Sequence, residues 1–350
     1  MRRRRSSSRQ GRSNTAVATV ATNTATAALL SGAVFVAPTA HAAQPTTRPA
    51  TQTAQTAQTA QTAQTTARTA APLATEPKVS ARGAYLIDDA TGKRIYGKAP
   101  NTRRPIASTT KLMTVHVVLR EKDLDLGRKV KIKQAYRDYV TRTGSSTADL
   151  KTGDRVTVRQ LLYAALLPSG GDAAYALADT FGSGTTNAAR TKSFIGKMNK
   201  RAAALGLENT KFDSFDGNSK TGNNYSTPKD LAKLTRTALK HKTLRDVVGT
   251  QKTVRKATTS TGGTRTYTWY NTNRLLGSYR GATGVKTGTT TAAGPCLVFA
   301  ATRDGKTVIG VVLNASDRYP DATKLLDHGL GVKSGTTVRL RQLPTDAQRD

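Results

Sequence analysis

Between Gln44 and Pro72 the chain repeats Thr-Ala-Gln with almost no large apolar residue. A tract of this composition cannot bury enough surface to offset its own chain entropy. It therefore confines any hydrophobic core to the sequence from about Lys78 onward, and residues 44–77 are expected to be a disordered tether. Its Thr and Pro content permits O-glycosylation.

The segment before the tether, residues 1–43, has the layout of an export signal. A basic start (Arg2 to Arg5, Arg9, Arg12) leads into a more apolar run from Ala27 to Ala37, then Ala40-His41-Ala42. The small-x-small ending suits cleavage after Ala42 or Ala43, and the run is short and broken by Ser for a permanent membrane helix. Localisation is then extracellular or in the cell-wall space, tethered to the outer face of the membrane if the signal is kept. The 350 residues carry a formal charge of +33, and removing six arginines and no acid leaves +27. On an exported chain this charge implies attraction to anionic cell-wall polymers that weakens with salt, and the scattered Lys and Arg argue against nucleic acid. The single cysteine, Cys296, rules out an internal disulfide and reads as a small buried apolar side chain.

From Lys78 the pattern is mixed. Ala84–Asp88 and Lys93–Gly97 flank Asp89-Ala90-Thr91-Gly92 and predict a hairpin. Pro105 precedes a helix starting at Ser108, with Leu112, Val115, Val118 and Leu119 as its apolar stripe. Residues 130–157 are polar and rich in Gly and Thr. Two helices are expected within 157–180, the first capped by Thr157 with Gln160 and the second, alanine-rich, over 173–180, and Ser169 lies on an exposed connection between them. Helices over 191–205 and, started by Pro228, over 227–239 follow, separated by an irregular Asn/Gly/Ser stretch. Trp269 reads as core. Pro295–Ala301 and Val308–Leu313, joined through Arg303-Asp304-Gly305, predict an antiparallel pair with Gly284–Thr289 as the adjoining strand.

Three short stretches carry chemistry. Ser108-Thr-Thr-Lys111 puts a hydroxyl and an ammonium on one helix face, and a neutral lysine can take the proton of an attacking serine. A second cation or burial keeps a lysine neutral near pH 7. Taken alone, the pair also reads as a capping serine with a solvated lysine. Ser169-Gly170-Gly171 alone reads as a cap. In Lys286-Thr287-Gly288 the glycine would let a ligand lie directly against the backbone.

In this order, on helix, loop and strand, the three stretches resemble the active-site set of penicillin-binding proteins and serine β-lactamases. The text around them (84–111, 144–178, 199–212, 271–301) resembles the low-molecular-mass D-alanyl-D-alanine carboxypeptidases over about residues 80–331. The resemblance implies an α/β fold of the β-lactamase/transpeptidase type, an antiparallel five-stranded sheet flanked by helices. It implies one catalytic domain over 78–331 with an all-helical lobe inserted between the first and last strands, then a C-terminal tail over 332–350. A second β domain or C-terminal amphipathic anchor is not expected in so short a remainder.

By the same resemblance Ser108 is the acylated nucleophile and Lys111 its base. Ser169 relays a proton to the leaving amine, and Lys286 holds Ser169. Thr287, with Gly288, binds the terminal carboxylate of the substrate, and the N–H groups of Ser108 and Thr289 form the oxyanion hole. Arg318 matches an arginine that assists carboxylate binding in some members; a solvated surface arginine fits as well. The implied partners are a peptidoglycan stem pentapeptide and β-lactams, bound by a monomer that needs no cofactor. Gly171 departs from the family's usual Asn, or Cys in some actinobacterial relatives. A missing partner there costs about 1–3 kcal/mol. A slow or impaired enzyme, and a gain in turnover on Gly171→Asn, are the corresponding expectations. A catalytically silent wall-binding protein is the non-enzymatic alternative. His116, His241 and His328 lie in helical stretches without matching serine or acid motifs, and no Cys/His cluster suggests a metal. Glu121 and Glu208 are the glutamates of the core region, neither placed to activate water, so hydrolysis of acyl-penicillin should be slow.

Overall fold

The structure, a computed structural model, describes residues 76–332 and 338–347, so the export signal and nearly all of the tether lie outside the described residues. The expected hairpin is present: β1 (Gly83–Asp88) pairs antiparallel with β2 (Arg94–Lys98). Its turn is tied by Asp88, whose carboxylate accepts from the Thr91 N–H and hydroxyl, bonds that lower its pKa. After β3 (Arg104–Pro105), a 3₁₀ turn over Ala107–Thr110 runs straight into α1 (Lys111–Val118). Next come β4 (Lys129–Lys131), α2 (Gln134–Thr143), β5 (Arg155–Thr157), α3 (Val158–Leu166), α4 (Gly171–Phe181) and α5 (Asn187–Ala204). The chain continues through β6 (Tyr225–Ser226), α6 (Pro228–Ala238), α7 (Lys242–Gly249), β7 (Lys252–Thr258) and β8 (Thr264–Tyr270). It closes with β9 (Ala282–Gly288), β10 (Cys296–Arg303), β11 (Lys306–Leu313) and α8 (Arg318–Leu330).

Five strands form one antiparallel sheet in the order β2-β1-β11-β10-β9, so the chain leaves the sheet after β2 and returns at β9. Both faces are covered at its centre, which is why β1, β10 and β11 read as continuous apolar runs instead of an alternation. Leu86, Phe299, Val312 and α8 residues Leu325 and Leu326 share one core cluster. Ile87, Val298, Ile309 and Val311 face the other, with Met113 of α1 and Leu231 of α6. Gly310 stands opposite Phe299 across the β10–β11 ladder, and a Cβ there would lie 2.2 Å from the Phe299 ring. The aromatic ring occupies the space that the glycine leaves.

The lobe between β2 and β9 is mainly helical but not all-helical. It contains a four-stranded sheet, β4-β5-β7-β8, and the small β3-β6 pair, and α2 lies inside the polar stretch 130–157. β7 and β8 present mostly Lys, Arg and Thr to solvent and bury only alternate residues such as Thr253, Ala257, Tyr267 and Trp269. Trp269 is core as expected, its indole N–H donating to the Ala148 carbonyl at 2.9 Å. The capping box of α3 forms as read, with the Gln160 N–H on Thr157 Oγ1 and the Thr157 N–H on Gln160 Oε1. α4 and α5 begin earlier than the apolar pattern suggested, at Gly171 and Asn187.

Residues 338–347 are not a loose tail. Val338 and Leu340 pack against the core cluster under α8, and the Arg341 guanidinium donates to the carbonyls of Asn271, Asn273 and Leu276. No helix among the described residues is long and apolar enough to cross a membrane.

Candidate active site

Ser108 sits in the 3₁₀ turn and Lys111 opens α1. In 3₁₀ geometry side chains at i and i+3 eclipse, and Lys111 Nζ donates to Ser108 Oγ at 2.9 Å. Nζ donates as well to the carbonyl of Asp216 at 3.0 Å. Every residue of α1 is buried, and Lys111 is 1 % exposed. Ser108 caps nothing, since Thr110 is the N-cap residue of α1 and makes no side-chain cap bond. The capping-serine, solvated-lysine reading is thereby overturned.

Ser169 differs from its expected setting. It is fully buried, has φ +64° in the left-handed region, and its Oγ has no hydrogen-bond partner. The backbone on both sides is pinned: the Thr272 N–H donates to the Leu167 carbonyl, the Gly170 N–H to Ala164, and the Gly171 N–H to Ser146. This conformation costs a non-glycine residue about 1–3 kcal/mol, which the surrounding bonds offset. Lys286 is 1 % exposed, and its Nζ donates to the Thr287 carbonyl at 3.0 Å. The expected hold on Ser169 does not run through a hydrogen bond to Ser169 Oγ.

Thr287 Oγ1 meets Thr272 Oγ1 at 2.6 Å. A Cβ at Gly288 would fall 2.9 Å from the Ser108 nitrogen and 3.0 Å from that of Thr109, so the end of β9 lies against the 3₁₀ turn itself. That close approach of two backbones needs the glycine. Arg318 is no free surface residue: Nη1 donates to the carbonyls of Gly288 at 3.1 Å and Cys296 at 3.0 Å, bracing the same strand end. Cys296 is fully buried and burial pushes its thiol up to about 11, in keeping with its reading as an inert apolar residue.

Ser108 opens onto a cleft of about 520 Å³, walled by residues 143–147 after α2, 216–218, and 289–291 after β9. Thr289 is exposed on this wall. Ser169, Lys286 and Thr287 lie buried rather than on the lining. The sequence reading missed Asp216, Ser145 and Asn218. They come from loops rich in Ser, Asn and Gly, where no spacing distinguishes a site residue from a turn former. Asp216 is 2 % exposed and accepts from Tyr139, Ser145 and the Asn218 N–H.

A half-buried serine open to a cleft and paired with a buried lysine beside a backbone-lined strand edge can carry out nucleophilic acyl transfer. Residues 68–317 match the family model of D-alanyl-D-alanine carboxypeptidase. The D-alanyl-D-alanine carboxypeptidase of Streptomyces sp. (strain K15) is 54% identical over 266 residues, 75% of this chain and 91% of the relative. DacF of Bacillus subtilis is 35% identical over 71% of this chain and 61% of its own length. Among solved structures, the Streptomyces K15 DD-transpeptidase aligns with TM-score 0.73 at 55% identity, covering 74% of this chain and all of that one. A D-alanyl-D-alanine carboxypeptidase from Mycobacterium tuberculosis aligns with TM-score 0.64 at 28% identity, over 74% and 94%.

Proposed function

The chain belongs to the D-alanyl-D-alanine carboxypeptidase family, and on that premise we propose that it removes the terminal D-alanine of peptidoglycan stem pentapeptides through an acyl-enzyme on Ser108. The observation that carries this is the 2.9 Å contact between Lys111 Nζ and Ser108 Oγ at the edge of the cleft. Ser108 Oγ attacks the penultimate D-Ala carbonyl carbon while Lys111, in its neutral form, takes the hydroxyl proton. The N–H groups of Ser108 and Thr289 receive the oxyanion, a contribution of roughly 3 kcal/mol per donor in acyl-transfer enzymes. As the intermediate collapses the C–N bond breaks, and the proton taken up by Lys111 is relayed through the Ser169 hydroxyl to the departing amine of D-alanine, which leaves Lys111 neutral again. Water then cleaves the ester and frees the tetrapeptide and Ser108. Thr287 and Arg318 serve the substrate carboxylate, Arg318 by fixing the end of β9.

A β-lactam enters by the same attack, but its amide nitrogen stays tethered after ring opening. The ester therefore persists, and the enzyme is penicillin-sensitive. The Streptomyces K15 protein is named both carboxypeptidase and DD-transpeptidase. An amine could replace water at the ester in this chain too, which product analysis with added glycine would reveal.

The reaction takes place outside the membrane, which agrees with the export signal read at residues 1–43. The +27 left after cleavage favours retention on anionic wall polymers, and salt should release the protein from isolated walls. The decisive test is D-alanine release from a peptide ending in L-Lys-D-Ala-D-Ala. Release by the native chain and none by Ser108→Ala is expected; equal release by both would refute the assignment.

A further inference from the structure

We propose that the side chain absent at position 171 is replaced from elsewhere in the fold by Ser145 and Asp216, which act as positioning residues for the Ser108–Lys111 pair. A Cβ built on Gly171 would lie 2.9 Å from the Ser145 Cβ, 3.1 Å from Asp216 Oδ2 and 3.3 Å from the Ser146 carbonyl oxygen. The volume that a larger residue at 171 would enter already holds a hydroxymethyl group and a carboxylate. On this proposal Gly171→Asn lowers turnover instead of raising it, because the asparagine would have to displace Ser145.

The two residues form one bonded cluster. Ser145 Oγ donates to Asp216 Oδ2 at 3.1 Å and accepts from Asn218 Nδ2 at 3.1 Å. Asp216 Oδ1 accepts from the Tyr139 hydroxyl at 2.9 Å and the Asn218 N–H at 3.0 Å. Both residues line the cleft beside Ser108. Their link to the chemistry runs through the backbone. The Asp216 carbonyl is the second acceptor of Lys111 Nζ, at 3.0 Å. The next residue, Gly217, is pressed against the residue before Ser108, since a Cβ on it would fall 1.9 Å from the Ala107 carbonyl oxygen. A tilt of the 216–217 peptide would therefore move the acceptor of the base and the support of the nucleophile together. Two loops supply what a single helix-borne side chain supplies in relatives with a larger third residue.

The inference rests on the serine–lysine reading of the site, and a mutant cycle separates the two. Acylation by a fluorescent penicillin is timed in the native chain, Gly171→Asn, Ser145→Gly and the double variant, with melting temperature alongside. Each single variant should slow acylation by about tenfold or more, and the double variant should return to within about threefold of native, because the new carboxamide then fills the vacated space. Asp216→Asn, which keeps the shape but replaces one carboxylate acceptor of the cluster by an amide donor, should slow acylation. Losses that simply add, a Gly171→Asn variant as fast as native, or rescue of melting without rescue of acylation would each overturn the compensation while leaving the site reading intact. Absence of Ser108-dependent acylation in the native chain would overturn both.

Discussion

His116, in the last turn of α1, accepts a hydrogen bond from Arg201 Nε at 2.9 Å and is 4 % exposed. Burial first, and the charges of Arg201 and Arg120 next, hold its imidazole down to about 4 from an ordinary 6.5. The folded state thus keeps His116 neutral where the unfolded chain would protonate it. Stability from this side chain is complete above pH 6.5 and is lost as pH falls toward 4, a difference of about 3 kcal/mol once both states are protonated. Comparing melting at pH 7 and pH 4.5, native protein should lose more than His116→Gln, which keeps an acceptor for Arg201 but cannot titrate; equal losses would remove His116 as the cause. Three short motifs, read through their resemblance to the family, singled out Ser108, Lys111, Ser169 and Lys286, and the structure sets Lys111 Nζ 2.9 Å from Ser108 Oγ. The motifs could not locate Asp216 or Ser145, which enter the site from positions 108 and 37 residues away from Ser108 in the chain.

Among the elements, the start of α4 anchors the loop that forms one wall of the cleft. Asp172, fully buried in its first turn, accepts from the N–H groups of Ala148, Leu150 and Ala173 and from the Thr147 hydroxyl, all within 3.0 Å. Burial raises its pKa, and these bonds act in the opposite direction. Together they fasten the loop that carries Ser145 to the helix that carries Gly171. Asp172→Ala would strand several buried N–H groups and should cost about 3 kcal/mol or more, read from urea unfolding, with new protease cutting near residue 146. An unchanged unfolding midpoint would contradict this. The capping box of α3 was legible because its bonds lie within four residues. The start of α4 was not, since a glycine at its first position carries no helix signal and only the distant 145–150 loop makes that turn favourable. β7 and β8 escaped notice for a related reason: their outer faces are almost wholly polar and only the neighbouring helices select their inner face.

At the scale of the whole molecule, the end of the described chain bears on the site from behind. Two of the three carbonyls that Arg341 binds, those of Asn271 and Asn273, flank Thr272, which touches both Thr287 and the Leu167 carbonyl. Arg341→Ala should therefore lower the melting temperature and also slow penicillin acylation severalfold, whereas a surface arginine would change neither. Local pattern by itself determined the hairpin, the Lys-Thr-Gly strand, the β10–β11 pair and the order of the three motifs, because each depends on neighbours in sequence or on a period of two or 3.6 residues. Tertiary structure alone decided that the connection bearing Ser169 is buried, that the lobe contains a sheet, that residues 338–347 dock, and that the space beside Gly171 is occupied. All four depend on which distant surfaces meet, and such contacts leave no periodicity in the chain that makes them.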